Sequence, residues 1–218
     1  MKRLLLAVVV LAAVGVYNHP ANAQVSLGLR AGVNIANASL DPENAYLGTA
    51  SKSSKTGFMI GAAAQFGLSD MISVQVEPMY AQKGFKIEGG GGTATVKLNQ
   101  IEIPVLFKAK FGKGEVKPYV FAGPNVGIKG SSKVTVEGGG QTQDIDIDTT
   151  TASIDFGVDF GGGVEYAITP KVSIMGDVRY SLGLTDLDKS AVPAGGVDGS
   201  IKSNGIQFLI GVLFRIGS

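Results

Sequence analysis

Twelve ionisable residues fall inside stretches where apolar and polar side chains alternate, and they carry most of the chemistry this chain can offer. They are Arg30, Glu77, Lys83, Glu102, Lys108, Lys110, Asp155, Asp159, Glu165, Asp177, Arg179 and Arg215, six acids and six bases. What they can do is limited by what accompanies them. The single histidine, His19, sits in a segment that reads as a cleaved leader, and the chain has no cysteine. Without imidazole or thiolate, His-dependent triads, activated thiol nucleophiles, zinc centres and disulfide frameworks have nothing to be built from. The expectation is a protein that is not an enzyme and holds no cofactor. The chemistry left to the twelve is mutual ion pairing, because equal numbers of acids and bases confined together must pair or shift their pKa values.

Three further acids, Asp144, Asp146 and Asp148, share one strand face and could present hard oxygen ligands to Ca²⁺. Neither the spacing nor the turn glycine of an EF-hand loop accompanies them, so a solvated face is expected and no metal site is assigned. The glycine runs at 89–92 and 138–140 lack the strand-to-helix context and the following Lys-Ser/Thr of a phosphate cradle. They read as hairpin tips.

The elements that position these residues follow an export signal. Lys2 and Arg3 precede an apolar run from Leu4 to Val16 and then Ala21-Asn22-Ala23, the pattern of a signal peptide cleaved after residue 23. The run is shorter than the roughly 20 residues of a spanning helix, and no comparable run follows it. Residues 24–218 are then one domain. Losing Lys2 and Arg3 leaves 17 bases against 18 acids, which gives no reason to expect nucleic acid as a partner. The 32 glycines lie among alternating apolar residues instead of the serine and charge of a linker, which points to an all-β domain.

Period-two alternation picks out segments near 24–36, 56–68, 71–87, 94–111, 117–129, 152–167, 171–184 and 203–217. Each is long enough to cross a bilayer as a tilted strand of roughly 9–11 residues. Ser69-Asp70, the stretch from Gly112 to Val116 and Thr169-Pro170 make tight connections. The stretches 37–55, 88–93, 130–151 and 185–202 are mostly longer, polar and without a core pattern. Short turns at one end and longer loops at the other are the layout of an outer-membrane barrel with both termini on the periplasmic side.

Successive strand side chains point to opposite faces. One face of the first segment carries Val25, Leu27, Leu29, Ala31, Val33 and Ile35, and the other Ser26, Gly28, Arg30, Gly32 and Asn34. The pattern persists to the last segment, with Ile206, Phe208, Ile210, Val212, Phe214 and Ile216 on the apolar side. No apolar face carries a charge; the twelve ionisable residues all lie opposite. A soluble lipid carrier would show the same alternation turned inside out. Residue size favours the membrane form. An eight-stranded barrel has an interior only wide enough for side chains, and glycines such as Gly28, Gly32, Gly61, Gly123 and Gly161 lie on the charged face. The expected fold is an eight-stranded antiparallel transmembrane up-and-down β-barrel with a salt-bridged, closed lumen. Arg30, Glu77, Asp177 and Arg179 are expected at mid-depth, and Glu165, Arg215 and Lys110 lower down. Phe66, Phe111, Tyr119, Tyr166 and Phe214 below, with Phe58, Tyr80, Tyr180 and Phe208 above, are expected in interfacial girdles. Pro78, Pro104 and Pro124 fall inside strands, where bulges are expected to absorb them.

Several motifs carry a resemblance. They are Leu29-Arg30-Ala31-Gly32-Val33-Asn34, Gly57-Phe58, the run Val76-Glu77-Pro78-Met79-Tyr80-Ala81-Gln82-Lys83-Gly84, Ile101-Glu102-Ile103-Pro104, Pro118-Tyr119-Val120-Phe121-Ala122-Gly123-Pro124 and Gly161-Gly162-Gly163-Val164-Glu165-Tyr166. Through them the chain resembles the PorT-like, porin-family small outer-membrane β-barrels of Gram-negative bacteria, over nearly all of residues 24–218. The resemblance implies a barrel in the cell outer membrane and no single shared activity. The expected role is a structural or interaction anchor with surface loops. The alternatives are a narrow or gated porin and a secretion-accessory barrel. A rim hydrolase or acyltransferase lacks its histidine. The expected partners are outer-membrane lipids and lipopolysaccharide, with the barrel assembly machinery and periplasmic chaperones during biogenesis, and the expected state is a monomer.

Overall fold

A computed structural model describes residues 24–43, 47–112, 114–147, 153–187 and 200–216. The leader and Asp148 lie outside them. The described residues form ten strands: β1 Val25–Asp41, β2 Ser51–Gly67, β3 Ile72–Val76, β4 Met79–Gly89, β5 Gly92–Lys110, β6 Val116–Gly138, β7 Gln141–Asp146, β8 Ile154–Thr169, β9 Val172–Gly183 and β10 Ser200–Ile216. All pairs are antiparallel. β3 and β4 together make one stave, because both lie between β2 and β5. β7 pairs only with the outer part of β6. Eight staves therefore close the wall, and the seam runs from Val25↔Ile216 to Asp41↔Ser200 between β1 and β10. Closure pairs the backbone of every stave, which hydrocarbon requires.

The turns are made by local chemistry. Ser69 Oγ accepts the amide of Ile72 at 3.0 Å, and Thr169 Oγ1 accepts that of Val172 at 3.0 Å, so both tight corners are side-chain capped. Gly90-Gly91 and Gly139-Gly140 carry positive φ at the tips of the β4–β5 and β6–β7 hairpins. Two successive left-handed residues are what a two-residue hairpin turn needs.

The prolines do not behave alike. Pro78 sits where the stave breaks between β3 and β4, and its carbonyl accepts the Ala62 amide at 3.1 Å. Pro104 and Pro124 are not absorbed by bulges, contrary to expectation. The β5–β6 register is the same at Pro104↔Asn125 and at Phe107↔Ala122, with the two pairs between them missing from the ladder. The two prolines stand almost opposite each other, but the Pro104 carbonyl accepts the Glu77 amide at 3.1 Å, so its missing donor faces the break between β3 and β4.

Two stretches expected to be loops are strand. β1 continues through Asn37–Asp41 and meets Ser200–Lys202 of β10, and β2 already begins at Ser51. The reason is a reversal of polarity along each stave. Lower down, Leu29 and Ile210 face outward, each 70% exposed, while Arg30 and Asn34 are buried inside. Above Ile35 in β1, Tyr80 in β4, Ile101 in β5 and Ile206 in β10, the outward residues turn polar: Asn37, Gln82, Asn99 and Asn204. At the same height apolar side chains enter the interior, Ala38, Leu40, Phe85, Leu98 and Ile201, among the buried Lys83, Ser132 and Ser203. Outside the bilayer the wall is bathed in water on its outer face, so the hydrophobic effect there drives apolar side chains inward. The reversal marks the outer boundary of the membrane band.

Candidate functional site: the lumenal ion-pair column

Arg30 of β1 and Arg179 of β9 project inward from staves on either side of β10, and the small bore brings them against the same carboxylate. Glu77, fully buried at the break between β3 and β4, accepts Arg30 Nη1 on Oε1 at 2.7 Å and Arg179 Nη2 on Oε2 at 2.7 Å. Gln75 Nε2 donates to the same Oε1. Arg30 Nη2 also donates to Asp177 Oδ2 at 2.7 Å, and Tyr119 donates its hydroxyl to that oxygen at 2.7 Å. Arg179 Nη1 lies 3.6 Å from Asp159 Oδ2, which Asn125 Nδ2 also approaches at 3.2 Å. A chain of charge thus crosses the lumen, from Asp177 through Arg30, Glu77 and Arg179 to Asp159. Arg30 spans two acids with its planar fork and Arg179 spans three, Glu77, Asp159 and, at 3.7 Å, Asp177, geometry a lysine could not supply.

Two smaller groups flank it. Above, Lys83 pairs with Glu102, which also accepts Gln100 Nε2 at 3.0 Å. Asp155 accepts the Ser203 hydroxyl at 2.9 Å. Below, Glu165 binds Lys110 at 2.8 Å and Lys108 at 3.5 Å. Lys108 also donates to Gln65 and Gln75 at 3.1 and 3.0 Å and lies over the Tyr119 ring at 3.8 Å.

Apolar side chains fill the remaining interior. Met59, Met79, Ala81 and Leu209 form one lumenal cluster, and Ala63, Leu106, Tyr119, Phe121, Met175 and Leu213 another. The gap bounded by Arg30, Lys108, Tyr119 and Met175 admits no water molecule. Over the outer mouth, Ala38, Leu40 and Phe85 pack together with Leu47, Ile87, Val96 and Ile201, beside the Leu98–Leu187 pair. On the outer extension, burial and the neighbouring Lys97 and Lys86 ammoniums hold the Lys55 amine below its ordinary value. The periplasmic end differs: it holds a cavity of about 1020 Å³ lined by polar and basic residues, including Ser26, Gln65, Lys110, Lys117, Lys171 and Arg215.

The structure places Arg30, Glu77, Asp159, Asp177 and Arg179 in one network, and Lys108, Lys110 and Glu165 in a second below it. Glu102 and Asp155 lie inside above them. Arg215 is not in the lower network; it lines the cavity and forms no ion pair among the described residues. Tyr119 corrects its assignment to a girdle, since it is 2% exposed and faces the lumen. Its alternation places it with Lys117 and Phe121, a signal that was present in the sequence and hidden by its position near a strand end. The lumenal methionines and leucines also went unrecognised, because they interrupt a face marked by charge and glycine. Asp144 accepts the Thr135 hydroxyl at 2.6 Å, and Asp146 stands opposite Lys133. With Asp148 outside the described residues, that trio is only partly visible.

The profile of the outer membrane protein beta-barrel domain matches residues 18–189. No curated protein matches the chain. Among solved structures, the outer membrane protein OprG of Pseudomonas aeruginosa is 16% identical with a TM-score of 0.54, over 92% of this chain and 98% of that one. Neisserial surface protein A is 18% identical with a TM-score of 0.49, over 87% and 97%. Ail, the attachment invasion locus protein of Yersinia pestis, is 14% identical with a TM-score of 0.41, over 88% and 98%. At these identities the likeness shows the fold alone.

Proposed function

Since the chain belongs to the outer membrane protein beta-barrel domain family and is an integral protein of the cell outer membrane, we propose that it serves there as a closed anchor presenting an extracellular extension. The observation that carries this reading is the blocked lumen: an apolar cap, the Arg30–Glu77–Arg179 column and two apolar clusters succeed one another along the axis. In this role the protein is not an enzyme and works as a monomer. Its surroundings are outer-membrane lipids and lipopolysaccharide, and it reaches the membrane through periplasmic chaperones and the barrel assembly machinery. The Lys55, Lys86 and Lys97 group on the extension supports contact with anionic headgroups. Within the family, the motifs around Glu77-Pro78 and Ile101-Glu102-Ile103-Pro104 favour a PorT-like member, for which a secretion-accessory role is the corresponding alternative.

The periplasmic cavity favours a second reading, a narrow gated pore whose gate is the ion-pair column. Planar-bilayer recording separates the two. A closed anchor gives no steady current from the wild-type protein. A pore conducts, and Glu77→Ala raises its open probability.

A further inference from the structure

We propose that the periplasmic half of the lumen is a binding pocket for a small multivalent oxyanion, a phosphate- or carboxylate-bearing solute that enters from the periplasm. Its volume of about 1020 Å³ stands at the upper end of the roughly 300–1,000 Å³ of small-molecule sites. Lys110, Lys117, Lys171 and Arg215 line it, against only Glu165 and Asp70. Glu165 is already committed, with Lys110 at 2.8 Å, Lys108 at 3.5 Å, and Lys117 as its cross-strand neighbour. One carboxylate therefore answers three ammoniums. Lys117 and Arg215 are also close enough to Lys110 to repel it. Asp70 stands at the rim, in the exposed turn after β2.

The pocket thus gathers cations left short of anions, in a cleft within the barrel wall that concentrates their potential. Ammonium and guanidinium groups only donate hydrogen bonds, so the missing partner is rich in acceptors. Ser73 adds to this: it lines the cavity, and its buried Oγ has no hydrogen-bond partner among the described residues. The inner end of the pocket is formed by Gln65, Ser73, Leu213 and the Lys110–Glu165 pair, with the ion-pair column beyond them, so the solute is held and does not cross. That retention rests on the closed lumen proposed above, whereas the charge and the cavity do not.

The test is calorimetric titration of the full chain in a zwitterionic detergent at low salt, with pyrophosphate and citrate as probes. The expected result is saturable one-site binding of at least one probe. It should weaken by about tenfold or more in Lys110→Gln/Lys117→Gln/Arg215→Gln. Asp70→Asn should tighten binding, a gain that misfolding cannot produce, and heat-modifiable migration reports folding of each variant. Lack of saturable binding by both probes overturns the pocket, as does equal binding by wild type and triple variant. Conductance is read separately. A steady current with retained binding removes the closed-lumen reading and keeps the pocket, and silence with no binding does the reverse.

Discussion

Glu77 is the residue on which the lumen turns, because it accepts a 2.7 Å hydrogen bond from each guanidinium, whereas Asp177 accepts one from Arg30 and lies 3.7 Å from Arg179. Removing one partner of a buried ion pair strands the other charge, at a cost of about 3–5 kcal/mol. Glu77→Ala strands two. Its unfolding free energy in lipid vesicles, followed by urea titration and gel migration, is expected to fall by about that range or more. A loss of under about 1 kcal/mol, the size of an exposed ion pair, would show that the column contributes little. The residues that take part were legible in the sequence because charge on an otherwise small, polar face is conspicuous. Their partners were not. Arg30 is 47 residues from Glu77 and 147 from Asp177, and Arg179 is 102 from Glu77. No local rule spans such distances. Tyr119, Gln75 and Asn125 complete the network as neutral hydrogen-bonding groups, which on a strand facing either way look ordinary.

Among the elements, the glycines of the staves have a sharper role than filling a crowded lumen. A Cβ on Gly123 in β6 would lie 1.9 Å from the Val105 carbonyl oxygen of β5, and 3.0 Å from Leu106 Cα. The obstacle is the backbone of the next strand, which cannot turn aside. Gly123→Ala is therefore expected to destabilise by about 1–3 kcal/mol, the usual range for overpacking. Gly176→Ala, where the nearest atom would be 3.8 Å away, is expected to be neutral by the same measurement. Equal effects at the two sites would remove the steric account. Strand existence was readable from period-two alternation in every stave, but strand ends were not. The inward face of β1 passes from Arg30 and Asn34 to Ala38 and Leu40, so a search for one constant polarity per face stops short of Asp41.

On the scale of the whole molecule, the reversal of polarity gives the barrel two solvents. A basic side chain on the lipid face near the midplane costs about 2–4 kcal/mol, falling toward zero near the interfaces. Leu29→Arg, at an outward position 70% exposed within the apolar band, is expected to lose stability in that range in vesicles. Ser39→Arg, outward on the same strand but beyond the reversal, is expected to change stability by less than about 0.5 kcal/mol. If both variants unfold at the wild-type urea concentration, the apolar band does not face hydrocarbon. A comparable loss in both would place the boundary above Ser39 instead.

By itself the sequence determined the class of fold and which face of each strand meets hydrocarbon within the band, because the two-residue period of a strand is local and hydrocarbon demands an unbroken apolar face. It also determined which ionisable residues share the interior, since charge is excluded from the other side. Only the tertiary structure decided which of them pair, that Tyr119 and the lumenal methionines join them, and that the outer mouth is capped while the periplasmic mouth holds a cavity. Those outcomes depend on where closure and register bring distant staves together. A one-residue change of register would leave every strand intact and give each charge a different neighbour.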